Sequence, residues 1–321
     1  MATQTKKKRK PAGASKPDPV TLDLYGLMDL PPWEWPKRTG PGLLALLQDR
    51  QAPAGDRLMA ANLIVEALDL PEWEAPFRAL LGILADPEEP EDLRREAAIA
   101  LGPTLEEMDS CAEFEFEDVS IPASLFREAQ ATLLRLWQAP DCSKDLRRRV
   151  LESSVRAPED WHVAAVRMAQ ASGDPEWRLS AAFSMRFVMG FDQEILEFLR
   201  DPDPAIHREA VLAAGAWNLE SAWPHVRSLL ESTTTSKDLL LAAIEAAPAL
   251  GPEEAGECLI PLMDAKDEDI AEAAMEAMAI LDPDGFLDEG DDDCWEDEFF
   301  KELEEEHNPH PLPGNVLKLR R

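Results

Sequence analysis

A short residue pattern recurs about every 31 residues along most of this 321-residue chain, and the recurrence restricts the fold more than any other feature. The pattern is an acidic residue, an apolar residue, often an arginine, and two small or apolar residues three and four positions later. Copies lie at residues 57–61, 92–98, 145–151, 176–182, 205–211, 238–244 and 269–275. A period of this size is typical of stacked supersecondary units.

Each sequence repeat contains two helical segments. From residue 43 onward, apolar residues recur at i, i+3, i+4 and i+7 in stretches separated by Pro, Gly and Asp, which indicates amphipathic helices. Partner segments between the copies lie at residues 73–84, 125–137, 161–169, 195–199, 223–230 and 258–263. The sequence therefore predicts an all-α array of about seven two-helix repeats over residues 43–282.

Two loops of the repeat have a sequence that is also found in a known protein family. Asp174-Pro175 and Asp203-Pro204 each lead directly into a copy of the pattern, and both residue types favour a helix start. On these loops and on the repeated apolar-Arg-x-x-Ala-Ala core, the chain resembles the HEAT-like repeat family, particularly its short bacterial form, as in the phycobilin lyase-type repeats. The resemblance implies an α–α superhelix, a solenoid whose inner helices form a concave surface.

The ends of the chain differ from the repeat in composition. Residues 1–19, with five consecutive basic residues from Lys6, are expected to form a disordered basic tail. Residues 20–42, rich in proline, tryptophan and leucine, are expected to cap the first repeat. Residues 283–321 are expected to form an acidic, proline-containing C-terminal tail.

One spacing between copies is longer than the others and contains an acidic insertion, residues 103–121, which is expected to be a loop. A long loop within a regular array either carries function or is merely tolerated. The functional interpretation makes its alternating acidic and aromatic residues the candidate partner-binding site. These candidates are Glu113, Phe114, Glu115, Phe116, Glu117 and Asp118.

Charge narrows the choice of partner. The chain has 64 acidic and 32 basic residues, a formal net charge of −32, which repels phosphate backbones and makes nucleic acid an unfavourable partner for the body of the solenoid. A protein or peptide partner, especially a basic one, is easier to accommodate. Acidity that serves only solubility is the alternative.

The cellular location follows from what the sequence lacks. Its four cysteines form no Cys-x-x-Cys pair, so neither a zinc site nor a disulfide framework is predicted. No secretory signal and no membrane-spanning apolar run are recognised. We therefore expect a cytoplasmic protein, and the sequence does not specify its oligomeric state.

Candidate catalytic and cofactor residues were sought next. Deoxyhypusine hydroxylases, which are built from HEAT-type repeats, hold iron with paired His-Glu motifs, and none of the five histidines here is followed by Glu. The arginines of the repeat, Arg57, Arg94, Arg147 and Arg178, would form a ladder along the inner helices. They are expected to pair with Asp92, Asp145 and Glu176, and a clamp for partner carboxylates is the alternative.

The sequence thus favours a protein-binding HEAT-repeat scaffold or adaptor that uses its concave inner-helix surface, with no catalytic residue, cofactor or metal predicted. The alternative is a lyase or chaperone-like protein that acts on a tetrapyrrole-bearing protein, because bilin lyases carry similar repeats.

Overall fold

The computed structural model describes residues 22–66, 73–114, 121–251 and 254–282. Within these ranges the regular secondary structure is entirely helical, and fourteen of the fifteen α-helices form seven consecutive pairs. The prediction of an all-α fold with about seven two-helix repeats is therefore confirmed. The chain divides into two compact units between Trp217 and Asn218.

The first unit holds one short helix followed by five pairs, each made of an outer helix and then an inner one. The bounds are α1 Leu24–Met28, α2 Thr39–Gln48, α3 Ala54–Glu66, α4 Glu74–Ala85, α5 Glu91–Phe114, α6 Ala123–Gln138, α7 Lys144–Ser154, α8 Trp161–Ala171, α9 Pro175–Ser184, α10 Asp192–Phe198 and α11 Pro204–Ala216. Within the unit each inner helix contacts the next, from α3 through α5, α7 and α9 to α11.

Small residues of the repeated pattern allow this close packing of inner helices. Ala60, Ala97, Ala181 and Ala210 are each at most 1% exposed. An alanine at these positions keeps the helix axes close, because no longer side chain separates them. The repeated pair of small residues therefore forms the spine of the core.

The Asp-Pro loops begin helices in the way the sequence predicts. The Oδ1 atom of Asp174 accepts a hydrogen bond from the backbone N–H of Glu176 at 2.9 Å, and Pro175 occupies the first turn of α9. Asp203 caps α11 in the same way, with a 2.9 Å bond from the N–H of Ala205. Each cap satisfies a backbone donor that has no partner inside the helix.

The acidic insertion differs from the expected loop in its first part. Helix α5 continues through Pro103 and ends only at Phe114. Its apolar stripe explains the continuation, because Leu101, Leu105 and Met108 recur at helical spacing and are 0%, 0% and 5% exposed. Burial of this stripe outweighs the local signal of the Gly-Pro sequence.

The repeat arginines act within the fold, as expected, but the three acidic partners expected for them, Asp92, Asp145 and Glu176, are wrong. Arg57 and Arg94 each donate from Nε to a carbonyl in the last turn of the preceding outer helix, Leu47 and Leu84, at 3.0 Å. An Nη2 atom of Arg147 donates to the carbonyl of Ala139 at 2.6 Å. These arginines therefore satisfy carbonyls that helix ends leave without a partner.

The carboxylates that pair with repeat arginines come from the loop of the following helix pair. Arg57 bonds both oxygens of Glu89, at 2.7 and 3.0 Å, and both side chains are buried. Arg178 pairs with Asp201. The predicted partners are bound elsewhere: Asp92 and Asp145 contact Arg95, and Glu176 contacts Lys144 and Arg148.

The segment before the first pair packs on the array through two leucines. Leu24 and Leu27 of α1 are buried, and α1 contacts α3. The indole N–H of Trp35 lies 3.0 Å from the carbonyls of both Leu27 and Leu30. In contrast, Trp33 is 80% exposed, so this segment buries only part of its apolar surface.

The second unit contains two helix pairs, α12 Trp223–Leu230, α13 Lys237–Leu250, α14 Ala255–Met263 and α15 Glu268–Leu281. Trp223 holds this unit together, with its indole N–H donating to Glu254 at 3.0 Å. A Cβ atom on Gly251 would lie 2.4 Å from the indole ring, so only glycine allows this approach. The pairing α12 with α13 and α14 with α15 repeats the pattern of the first unit.

Candidate functional site

A cavity of about 280 Å³ lies on the inner-helix surface of the first unit. Four consecutive inner helices or their first turns contribute to it. Its lining residues are Ile99 from α5, Arg149, Glu152 and Ser153 from α7, Arg156 just after α7, Leu179 and Phe183 from α9, and Ala205, Arg208 and Glu209 from α11. We call this site the inner cavity.

The inner cavity has an apolar part. Ile99 is 41% exposed, although it lies on a helix whose other large apolar side chains are mostly buried. Leu179 and Phe183 are half-buried beside it. These three side chains form an apolar floor that water covers in the free protein, and a ligand would gain free energy by displacing that water.

Arginines surround this floor. Arg149 pairs with Glu152, Arg208 donates to Oε1 of Glu209 at 2.7 Å, and Arg156 pairs with Glu106 of α5. All three guanidinium groups keep exposed surface, whereas Glu152 and Glu209 are nearly enclosed. Two of the three arginines are therefore more accessible than the carboxylates they pair with, while Glu106 is more exposed than Arg156.

Arg156 lies beside two aromatic rings. Its guanidinium carbon lies 5.4 Å from the ring centre of Phe183 and 5.2 Å from that of Phe187, within range of cation–π attraction. A Cβ atom on Gly102 would lie 2.8 Å from the Cδ atom of Arg156. Glycine at this position therefore lets the arginine lie across α5.

Glu152 is fixed by a separate hydrogen-bond network. The hydroxyl of Ser180 donates to its Oε1 atom at 2.5 Å and accepts from Nε of the buried Arg148 at 2.9 Å. This leaves the Oε2 atom to pair with Arg149. The network therefore orients an exposed arginine through buried groups.

Two polar atoms at the inner cavity are buried without a hydrogen-bond partner in the described part of the chain. They are the hydroxyl oxygen of Ser153 and the Oε2 atom of Glu209. Arg186 approaches this carboxylate oxygen only to 3.7 Å. Both atoms have practically no surface that water can reach, so they lie within the wall of the cavity and not on its open face.

Sequence reasoning missed this site. The predicted site residues Glu115, Phe116, Glu117 and Asp118 lie outside the described residues. Glu113 and Phe114 form the end of α5, and only their backbone is described. The sequence did show several arginines within copies of the pattern. That observation drew attention to the arginines that bind helix-end carbonyls, and not to the neighbouring Arg149 and Arg208.

Five tryptophans of the helix pairs divide into two groups by burial. Trp73, Trp177 and Trp223 are buried, and the indole N–H of Trp73 donates to Thr104 at 2.6 Å. Trp137 and Trp161 are half-buried, with ring centres 5.7 Å apart. This packing is consistent with a structural role for these side chains.

His162 is a fully buried histidine in α8. Its Nδ1 atom accepts a 2.7 Å hydrogen bond from the backbone N–H of Glu159, which leaves the proton on Nε2, 2.9 Å from the hydroxyl oxygen of Ser154. Burial lowers the pKa of His162 from 6.5 to about 4. Among the described residues, no three His, Cys, Asp or Glu side chains are grouped as metal ligands.

The second unit has a cavity of its own, of about 630 Å³. Leu230 and Ile270 contribute apolar surface, and Glu231 and Glu257 contribute carboxylates. Burial raises the pKa of the Cys258 thiol in its wall, so the thiolate is disfavoured. None of the described residues that line this second cavity has a buried side-chain polar atom without a hydrogen-bond partner.

Comparison with known proteins agrees with the repeat architecture. Residues 193–279 match the family model described as HEAT repeats. This match supports the HEAT-like resemblance over that part of the chain. No match was found among curated protein sequences.

Solved structures with some similarity to this chain include human deoxyhypusine hydroxylase in complex with glycerol. It is 16% identical, with 77% of this chain and 96% of that chain covered and a TM-score of 0.36. One engineered protein is 17% identical, with coverage of 75% and 78% and a TM-score of 0.36. Another is 18% identical, with coverage of 76% and 96% and a TM-score of 0.31. These values say nothing about activity.

A search of the described helices for one that is long and apolar enough to cross a membrane finds none.

Proposed function

We propose that this HEAT-repeat protein is a cytoplasmic scaffold that binds a peptide segment of a partner protein in the inner cavity. The observation that carries the proposal is the apolar floor of Ile99, Leu179 and Phe183, which has arginines and glutamates beside it. A peptide carries apolar side chains together with backbone N–H and C=O groups, which can form hydrogen bonds with these charged groups.

The composition of the inner cavity also fits a peptide better than a reactive small molecule. Its polar side chains are arginine, glutamate and serine, and the serine has no histidine or lysine beside it among the lining residues to act as a base. Apolar surface from Ile99, Leu179 and Phe183 would receive side chains. HEAT repeats generally mediate protein interaction, which supports the same assignment.

The acidic residues 113–118 and the acidic tail 283–321 would add electrostatic selectivity to this scaffold. Charges outside the contact area change the association rate more than the final affinity. Their removal would therefore alter how fast a partner binds before it alters how tightly it binds.

The test is selection from a random peptide display library with the full-length chain as bait. Ile99→Trp places a large side chain into the inner cavity from an exposed position. Val163→Trp is the matched control, because Val163 is 36% exposed on the outer helix α8. Circular dichroism would establish that both variants keep their helices.

We expect peptides that the natural protein and Val163→Trp enrich and that Ile99→Trp fails to enrich. If all three proteins enrich the same peptides, the inner cavity is not the binding site and the proposal is wrong.

A further inference from the structure

We infer that the inner cavity selects an acidic peptide segment that carries a large apolar side chain. This inference rests on the proposed function and names the chemistry of the partner. It runs against the net charge of −32, which by itself favours a basic partner.

Exposure separates the two signs of charge at the inner cavity. The side chains of Arg149 and Arg208 are 40% and 45% exposed, whereas those of Glu152 and Glu209 are 13% and 6% exposed. The lining includes no lysine and no aspartate. In these two pairs the arginine offers a ligand more accessible surface than the carboxylate does, whereas in the third pair Glu106 is 45% exposed and Arg156 is 25% exposed.

The enclosed carboxylates orient these arginines. Glu152 is fixed by Ser180, and Glu209 is fixed between Arg208 and Arg186. A guanidinium group has five N–H donors, and pairing with one enclosed carboxylate leaves others for a second carboxylate. Because the geometry is set before binding, a ligand carboxylate would lose little side-chain entropy on its partner.

Arg156 joins the charged and apolar parts of the site. Its guanidinium carbon lies 5.4 and 5.2 Å from the ring centres of Phe183 and Phe187, and one of its Nη atoms pairs with Glu106, so its remaining N–H donors stay available for hydrogen bonding. The apolar floor formed by Ile99 and Leu179 lies in the same cavity. An acidic side chain next to an aromatic or large aliphatic one would satisfy both parts together.

The net charge of the chain does not oppose this assignment at short range. At physiological salt, charges further apart than about 8 Å are largely screened when they are exposed to solvent. Among the described residues, three arginines and two glutamates line the cavity. A ligand in contact with them would therefore meet a local excess of positive charge.

Three fluorescein-labelled octapeptides provide the test, with the full-length chain and fluorescence anisotropy near physiological salt. The first is Ser-Glu-Asp-Phe-Glu-Asp-Leu-Ser. In the second, lysine replaces each acidic residue, and in the third, serine replaces Phe and Leu. The first is expected to bind most tightly, with a Kd that rises as salt is added.

Arginine variants show whether the cavity is responsible. A charged hydrogen bond contributes about 1.5 kcal/mol or more, so Arg208→Ala should raise the Kd of the first peptide by roughly tenfold. Arg149→Ala is the second variant, and it serves if Arg208→Ala fails to fold. The matched control is Arg200→Ala, an exposed arginine outside the lining, which should leave the Kd unchanged.

Each contrary result has a separate meaning. If the lysine peptide binds most tightly and Ile99→Trp abolishes its binding, the inference is overturned while the proposed function stands. If the serine peptide binds as tightly as the first, the apolar requirement is wrong. If Ile99→Trp changes the binding of none of the three peptides, the inference fails. If library selection also shows no dependence on Ile99, the proposed function fails with it.

Discussion

The buried pair of Arg57 and Glu89 gives the most direct test of how this array is held together. The two side chains are each 5% exposed and share two hydrogen bonds, and Arg57 also donates to the carbonyl of Leu47. Glu89→Ala would leave a buried guanidinium with only that carbonyl as a partner. Removing one member of a buried pair costs about 3–5 kcal/mol of folding free energy.

The converse variant should be milder. In Arg57→Ala the carboxylate of Glu89 would retain Arg50, whose Nε atom lies 3.2 Å away and whose side chain is 57% exposed. We therefore expect Arg57→Ala to lose less free energy of unfolding than Glu89→Ala does. This order is a consequence of the geometry and does not follow from residue type.

Urea unfolding followed by circular dichroism at pH 7 measures both variants. Glu74→Ala in the same unit is the matched control, because Glu74 forms an exposed i,i+4 pair with Arg78 and its loss should cost less than about 0.5 kcal/mol. Hydrogen exchange in α3 and α5 would locate the effect. If Glu89→Ala is as stable as Glu74→Ala, the buried pair does not hold the first two helix pairs together.

Three further changes test other parts of the structure. Because burial lowers the pKa of His162 to about 4, the free energy of unfolding should be at its full value above pH 6.5 and fall by roughly 3 kcal/mol towards pH 4. Urea titrations at a series of pH values should show a weaker pH dependence for His162→Gln. An unchanged pH dependence in this variant would contradict the assignment. Gly251→Ala brings a methyl group against Trp223 and should lower the free energy of unfolding by about 1–3 kcal/mol, with a change in tryptophan emission. Gly55→Ala meets nothing within 4 Å in α3 and should instead raise the thermal midpoint through a gain of about 0.4–1 kcal/mol, so a loss would show an unrecognised contact there.

The sequence predicted helix pairs well because their signals are local. Apolar spacing identified both members of each pair, and Asp-Pro loops marked the starts of α9 and α11. The loop expected at residues 103–121 was wrong in its first part. The long spacing between copies of the pattern indicated an insertion, while burial of Leu105 and Met108 keeps α5 continuous through Pro103.

The inner cavity could not be predicted in this way. Ile99, Ser153 and Arg208 are far apart in sequence and meet only when inner helices stack. The same limit explains the acidic partners of the repeat arginines. Glu89 and Asp201 lie one repeat further along than the arginines they contact, so the nearest acidic residues were the wrong choice.

The bonds of Arg57 also bear on how a repeat array frays at its end. Opening of α2 and α3 in water would remove Arg57 from Glu89, which belongs to the next helix pair and would then face solvent with only Arg50 nearby. Terminal repeats of most arrays open easily because they have a neighbour on one side only. Here the free-energy cost of opening the first helix pair includes the exposure of Glu89 in the second pair. Proteases should therefore cut the first helices less readily than the position of these helices at the end of the array suggests.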